Sequence, residues 1–267
     1  MYSFAVMSAP PERPLVLLSN DDGHSSEGIR AWYEALLPDF DVFVVAPEHE
    51  QSASSHALSL RKPLRLRRVD ERRFALDGTP ADCVYLALYG GTRVLPRRPN
   101  LVLSGINLGL NLGQDAFYSG TIAAARESAL RGIPSIASSA HTSLDLTRVA
   151  RASTQIALAL LRQPRQSTGA PLLSLNFPHH WDGQMRATRL GTRIYEERVE
   201  FRNDPYGREY LWLGGPGVRH EGNPGTDTDA YDEHCASITP LVLDLTSRSE
   251  APLALAMARE VGQSPTE

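Results

Sequence analysis

Cysteine is scarce in this chain: Cys83 and Cys235 are the only two among 267 residues, too few for a disulfide framework. Lysine is scarcer, with Lys62 alone, so arginine supplies nearly all the positive charge. We read that as genome composition before function. No apolar run approaches the ~18 residues that a membrane span requires. Met1–Pro14 carries a brief apolar patch, Phe4-Ala5-Val6-Met7, with no basic region ahead of it, and makes a poor signal peptide. A reduced, cytoplasmic protein is expected. The net charge of −4 gives no general pull toward nucleic-acid polymers, and the Arg65–Arg73 cluster reads as a solvated strand face. What is present, 42% hydrophobic and 22% charged residues, suits one globular core with a smaller extension.

The apolar runs are short and alternate with helical patterns. Leu15-Val16-Leu17-Leu18 is branched and continuous, as in a strand buried on both faces. Ser25-Ser26-Glu27-Gly28 offers helix caps, and Ile29, Trp32, Tyr33, Leu36 and Leu37 recur at helical spacing until Pro38. Val42–Ala46 is a second buried strand, completing a βαβ unit. Leu58, Leu60, Leu64, Leu66, Val69 and Phe74–Leu76 read as a partly exposed hairpin or meander. Thr79-Pro80-Ala81-Asp82 is a strong helix start. Leu101–Ser104 is a third buried strand, followed by a polar glycine loop, Gly105–Gly113. An alanine-rich helix follows Ser119 and stops at Gly132. Strands at Pro134–Ala137 and Leu172–Asn176 flank a long amphipathic helix over Leu144–Leu161. This alternation predicts an α/β fold, a Rossmann-like, doubly wound, mostly parallel sheet. Beyond Gln184 the character changes to hairpins and acidic glycine-rich loops, with a late strand over Ser237–Leu243. The expected organisation is a disordered leader (1–13), a core (14–183), a C-terminal arm of hairpins for subunit contact (184–249) and a tail (250–267) that begins as a short helix. No internal repeat is visible.

Chemistry gathers at the strand ends. Ser19-Asn20-Asp21-Asp22-Gly23 closes the first strand, and in open α/β sheets ligands sit beyond the carboxyl ends of strands. Adjacent carboxylates repel unless a cation or shared proton intervenes; alone, the motif also fits a polar loop near a helix cap. Ser52 follows the second strand and Asn107 the third. If these strands are neighbours, two carboxylates, a hydroxyl and an amide form an all-oxygen site suited to Mg²⁺ or Mn²⁺. Ser119-Gly120-Thr121 opens a helix; alone it reads as a cap, but beside an acidic metal site its free backbone N–H groups favour phosphate. A divalent metal beside a phosphate points to hydrolysis by a metal-bound water.

These residues carry a resemblance. Leu18-Ser19-Asn20-Asp21-Asp22-Gly23, Val44-Val45-Ala46-Pro47, Asp77-Gly78-Thr79-Pro80-Ala81-Asp82-Cys83, Leu103–Gly109 and Tyr118-Ser119-Gly120-Thr121 together resemble the SurE family (survival protein E, 5′/3′-nucleotidases), as does Ser237-Ile238-Thr239-Pro240-Leu241. The match runs from about Pro14 to Leu243. It implies a metal-dependent phosphatase of nucleoside 5′- and 3′-monophosphates, with short polyphosphate as a further substrate. It also implies one divalent cation per subunit and a homodimer with exchanged C-terminal arms, in some members paired into a tetramer. Metal ligation carries over to Asp21, Asp22, Ser52 and Asn107. Asn111, Ser119, Gly120 and Thr121 match the stretch that lines the phosphate site. Asp21 and Asn107 are the candidate catalytic residues, with Asp21 orienting or deprotonating the water. The chain departs from the family at Gln51, where many members have a basic residue, and at His234-Cys235-Ala236, which replaces Gly-Tyr-Val.

Other readings are weaker. Leu76-Asp77-Gly78-Thr79 superficially suggests an aspartyl-phosphate enzyme, but Ala75 stands where a second acid is needed. Asn-Asp-Asp-Gly after the first strand lacks the G-x-G-x-x-G of a dinucleotide site. A non-catalytic nucleotide sensor would share the same ligands. His24, His49 and His56 lie in loops near the site and read as loop residues or as a general acid, and His179-His180 as a surface turn or a second metal site. Tyr118 is expected to flank the pocket or to pack.

Overall fold

The computed structural model describes residues 12–164, 169–215 and 217–262. Most of the expected leader, and the tail beyond 262, lie outside the described residues.

β1 (Leu15–Ser19) is buried throughout. α1 (Glu27–Leu36) starts where the Ser26 hydroxyl accepts the Ile29 N–H. β2 (Asp41–Pro47) then runs parallel to β1. β3 (Leu66–Arg68) and β4 (Arg73–Leu76) form the expected hairpin, and β4 joins β2 in parallel. Leu58, Leu60, Leu64 and Val69, expected in that hairpin, lie outside any strand. Thr79 caps α2 (Pro80–Tyr89) in a reciprocal box with Asp82. β5 (Leu101–Leu108) extends past its expected end at Ser104: after a register shift, Asn107 and Leu108 pair with Ser139 and Ala140 of the next strand. Asn107 is therefore a strand residue, although its glycine-rich surroundings read as loop. A short helix, α3 (Asp115–Tyr118), precedes α4 (Gly120–Leu130). β6 (Ser135–Ala140), α5 (Leu146–Arg162) and β7 (Leu172–Phe177) complete the alternation.

The remaining elements are β8 (Met185–Ala187), β9 (Arg193–Tyr195), β10 (Val199–Asn203), β11 (Glu209–Leu213), β12 (Val218–His220), α6 (Asp227–Asp232), β13 (Ala236–Pro240) and α7 (Ala251–Gly262). β10 and β11 form one antiparallel ribbon, and β9 and β12 another. Two strands of the expected arm instead join the central sheet: β13 pairs antiparallel with β7 and parallel with β8. The sheet order is β3-β4-β2-β1-β5-β6-β7-β13-β8. This is a mostly parallel α/β sheet with added C-terminal antiparallel ribbons.

Side-chain alternation along the strands sorts the core into two layers. Val16, Leu18, Val42, Val44, Leu101 and Leu103 pack with α1 and α5 around Trp32 and Phe40. Leu17, Val45 and Val102 face the other way, against Val84 of α2 and Ala124 of α4. Strands buried on both faces must be apolar at every position, which explains their continuous runs. The chain winds outward from β1 through β2 and then returns to place β5 on the other side of β1. β1 and β5 therefore flank the switch point, where the crevice beyond the strand ends opens.

Candidate active site

A cavity of about 390 Å³ lies at that crevice, lined by Asp21, Asp22, Glu50, Ser52, Ala53, Asn107, Leu108, Asn111, Asp115, Tyr118, Ser119 and Tyr195. It brings together Asp21, Asp22, Ser52 and Asn107, which come from three separate strand ends. The β1 turn is fixed by Asn20, whose Nδ2 donates to the Gly23 carbonyl at 2.9 Å and to Ser26 Oγ at 2.8 Å. The loop after β2 is tied to the same turn by the Gln51 N–H, 2.8 Å from the Asp21 carbonyl. It is tied to α3 by Ser55, which donates to the Phe117 and Tyr118 carbonyls.

Asp21 is 5% exposed. Thr121 Oγ1 donates to its Oδ1 at 2.5 Å, and the Thr121 N–H donates to the carboxylate as well. Burial nevertheless dominates and raises its pKa. A Cβ on Gly120 would come within 2.8 Å of the Asp21 Cβ, so the absence of a side chain there lets the start of α4 close onto the acid. Asp22 is pushed up to about 6, first by burial and then by the Asp21 charge, with the Leu108 N–H opposing and Glu50 adding to the rise. Its Oδ2 is buried without a hydrogen-bond partner. An unpaired carboxylate oxygen beside a second carboxylate is costly as it stands.

The neutral donors are arranged to present oxygen. Ser52 Oγ donates to Glu50 Oε1 at 2.7 Å, leaving its lone pairs available. Asn107 Nδ2 donates to the Gly109 carbonyl at 2.8 Å, which sets the amide orientation and leaves Oδ1 as the acceptor. Among the described residues no group of three or more His, Cys, Asp and Glu side chains forms a metal cluster. Two carboxylates completed by a hydroxyl and an amide oxygen instead match a hard cation.

The four residues expected at a phosphate separate into two pairs. Asn111 and Ser119 line the cavity. Ser119 caps α4 by accepting the Ile122 N–H at 3.1 Å, so its own proton is free to donate. Asn111 is held from below: its N–H donates to Asn176 Oδ1 at 2.8 Å and its Nδ2 to Ser139 Oγ at 2.7 Å. Gly120 and Thr121 are not lining residues; Thr121 directs its donors at Asp21 instead.

None of His24, His49 and His56 lines the cavity. His56 anchors the Ser52 loop from outside, with Nε2 2.9 Å from Glu127 Oε2. Glu127 is 1% exposed; burial raises its pKa, but His56 and Arg131 outweigh that and lower it. The His179 and His180 rings lie together at a tilt of 57°, near His141 and His234, outside the cavity. Sequence reasoning missed Glu50, Asp115 and Tyr195 in the wall. Tyr195 could not have been found by spacing, because it arrives from β9, long after the motifs it joins.

Residues 16–197 match the family model described as Survival protein SurE. A relative from Sorangium cellulosum (strain So ce56), named 5′-nucleotidase SurE, is 54% identical over 255 residues, spanning 95% of this chain and 99% of its own. One of the same name from Myxococcus xanthus (strain DK1622) is 45% identical over 253 residues, spanning 92% and 93%. The crystal structure of a SurE protein from Aquifex aeolicus superposes with a TM-score of 0.78 at 36% identity, covering 92% of this chain and all of that one.

Proposed function

The chain belongs to the SurE family, and from that premise we propose that it is a 5′-nucleotidase, a metal-dependent hydrolase of nucleoside monophosphates. Nucleoside 3′-monophosphates and short polyphosphate are proposed as further substrates. The observation that carries the reading is the buried Asp22 Oδ2, unpartnered beside the buried Asp21 carboxylate. Such a pair is stable only when a cation or a shared proton reaches it, and a divalent cation suits the all-oxygen donor set around it. A single Mg²⁺ or Mn²⁺ held by Asp21, Asp22, Ser52 and Asn107 would polarise the phosphoryl group and lower the pKa of a water there.

The chain's own residues do the rest. Asn111 and Ser119 hold the phosphoryl oxygens, Ser119 through the proton left free by its capping role. Asp21 orients the attacking water or takes its proton; with Oδ1 held by Thr121, the carboxylate keeps one geometry. Asn107, fixed through Gly109, turns its amide oxygen to the same space. The phosphorus–oxygen bond to the nucleoside breaks, giving the nucleoside and inorganic phosphate. Gln51, at a position that is basic in many members, leaves this work to neutral donors and the cation.

We also propose a homodimer that exchanges C-terminal arms, with a tetramer as a further assembly. Phe201, Leu211, Trp212 and Leu213 are exposed on the β10–β11 ribbon, and Leu253, Leu255, Met257 and Val261 on α7, which buries no residue. Apolar surface of that extent is usually covered by a partner. Both cysteines are buried and free, and no described helix is long and apolar enough to cross a membrane. The free thiols suit the cytoplasmic location that we propose.

The test is phosphate release from a panel of nucleoside 5′- and 3′-monophosphates and tripolyphosphate, with Mg²⁺, Mn²⁺ or EDTA. Release that needs the metal is expected. Nucleotide binding without release under any metal would overturn the hydrolase reading in favour of a sensor.

A further inference from the structure

The cavity wall holds more than the groups assigned to metal and phosphate. Its lining also includes Tyr118 of α3, Tyr195 of β9 and Asp115, the acid that accepts the Tyr195 hydroxyl. Tyr118 is 65% exposed and Tyr195 43%, so two aromatic rings stand open to solvent beside an otherwise polar site. At about 390 Å³ the space is also in the range of pockets that hold small organic ligands, not an inorganic ion alone.

Tyr195 is delivered by a latch. Its hydroxyl donates to Asp115 Oδ1 at 2.5 Å, and Arg193, two residues earlier, pairs with Asp115 Oδ2. The Arg193 N–H also donates to Gln114 Oε1 at 2.8 Å, and its guanidinium lies over the Tyr195 ring, 5.3 Å from the centroid. Three contacts thus fasten β9 to the start of α3. Both Asp115 oxygens are engaged, and Arg193 is neutralised by that acid, so neither is a free charge for phosphate. Burial and the Asp115 carboxylate push the Tyr195 phenol up to about 12, which keeps it protonated as a donor.

We propose that Tyr118 and Tyr195 form the nucleobase platform of this site, with Asp115 and Arg193 as the positioning residues that hold Tyr195 in its wall. The assignment rests on the nucleotidase reading and adds to it the groups that contact the base. Aromatic faces suit this role because every base has a π-face to stack on them. A base held by these rings shares one cavity with Ser119 and the acids that meet the phosphoryl group.

The test compares AMP with ribose 5-phosphate, which has the same phosphoryl group and sugar but no base, in Mn²⁺ buffer. Wild type, Tyr118→Ala, Tyr118→Phe, Tyr195→Ala and Asp115→Asn are assayed, with thermal melts to show that each variant is folded. Each alanine variant should lower the AMP to ribose 5-phosphate ratio of kcat/KM by about tenfold, through KM. Asp115→Asn should lower it less, and Tyr118→Phe should restore it. Adenosine binding, followed by saturation-transfer NMR, should weaken in the same order. An equal loss with both substrates, a Tyr118→Phe variant as impaired as Tyr118→Ala, or adenosine binding indifferent to both alanines would overturn the platform. If wild type hydrolyses neither substrate, the nucleotidase reading falls; the adenosine arm then decides the platform alone.

Discussion

Replacing Asp22 with asparagine should stabilise the metal-free protein while abolishing its activity. The Asp22 carboxylate has one buried oxygen without a partner and lies beside Asp21. Its pKa is raised from the ordinary 3.8 to about 6, by burial first and Asp21 second. At 1.36 kcal/mol per unit, such a shift is ~3 kcal/mol of penalty on the charged form. Solvent reaches part of the carboxylate, and screening reduces this to about 1–2 kcal/mol. The sign follows from the folded value lying above the unfolded one. The group's favourable contribution is full below about 3.8 and is lost as pH rises through about 6. Asparagine removes the charge and still accepts the Leu108 N–H. In EDTA at about pH 7.5, Asp22→Asn should therefore melt roughly 2–6 °C above wild type, with the gap closing toward about pH 4. Adding Mn²⁺ should reverse the order, because only wild type gains binding energy from the cation. Differential scanning fluorimetry across pH, with and without metal, reads both effects. A variant less stable than wild type in EDTA at about pH 7.5 would refute the reasoning, since Asp22 would then be a satisfied structural group.

Two further outcomes are expected. Thr121→Val removes the hydroxyl that donates to Asp21 Oδ1, so the Asp21 pKa should rise further and the acid limb of the pH–rate profile should move to higher pH, with Thr121→Ser restoring it. Gly28→Ala would put a Cβ 1.8 Å from the Ile106 carbonyl oxygen; the forced separation of α1 from β5 should cost about 1–3 kcal/mol in urea unfolding and lower activity by displacing Asn107.

Local patterning was enough to read the sheet's inner strands and the helices between them. Strands buried on both faces require continuous apolar runs, and the caps Ser26, Thr79 and Ser119 are local hydrogen-bond devices, so both leave marks within a few residues. Asp21 and Asp22 directly follow a continuous apolar run and Ser52 lies in the loop after the next, where such donors are sought, whereas Asn107 lies within β5, past the end that its apolar run marks. Tertiary structure alone decided which groups those donors meet. Thr121 reads as a phosphate residue, but in the fold its hydroxyl lies against Asp21, because Gly120 lets α4 approach that acid. His56 reads as a loop residue or as a general acid, and only the fold shows its partner, the buried Glu127, to which it anchors the Ser52 loop. The late strand over Ser237–Leu243 reads as part of the arm and no strand is legible at Met185–Ala187, because short late strands do not state their partners; strand pairing is a long-range choice made by β7's open edge. Tyr195 belongs to the site only through the Asp115 and Arg193 latch, a contact across some 80 residues of chain. Local pattern encodes what a residue can do; only the packed chain decides what stands opposite it.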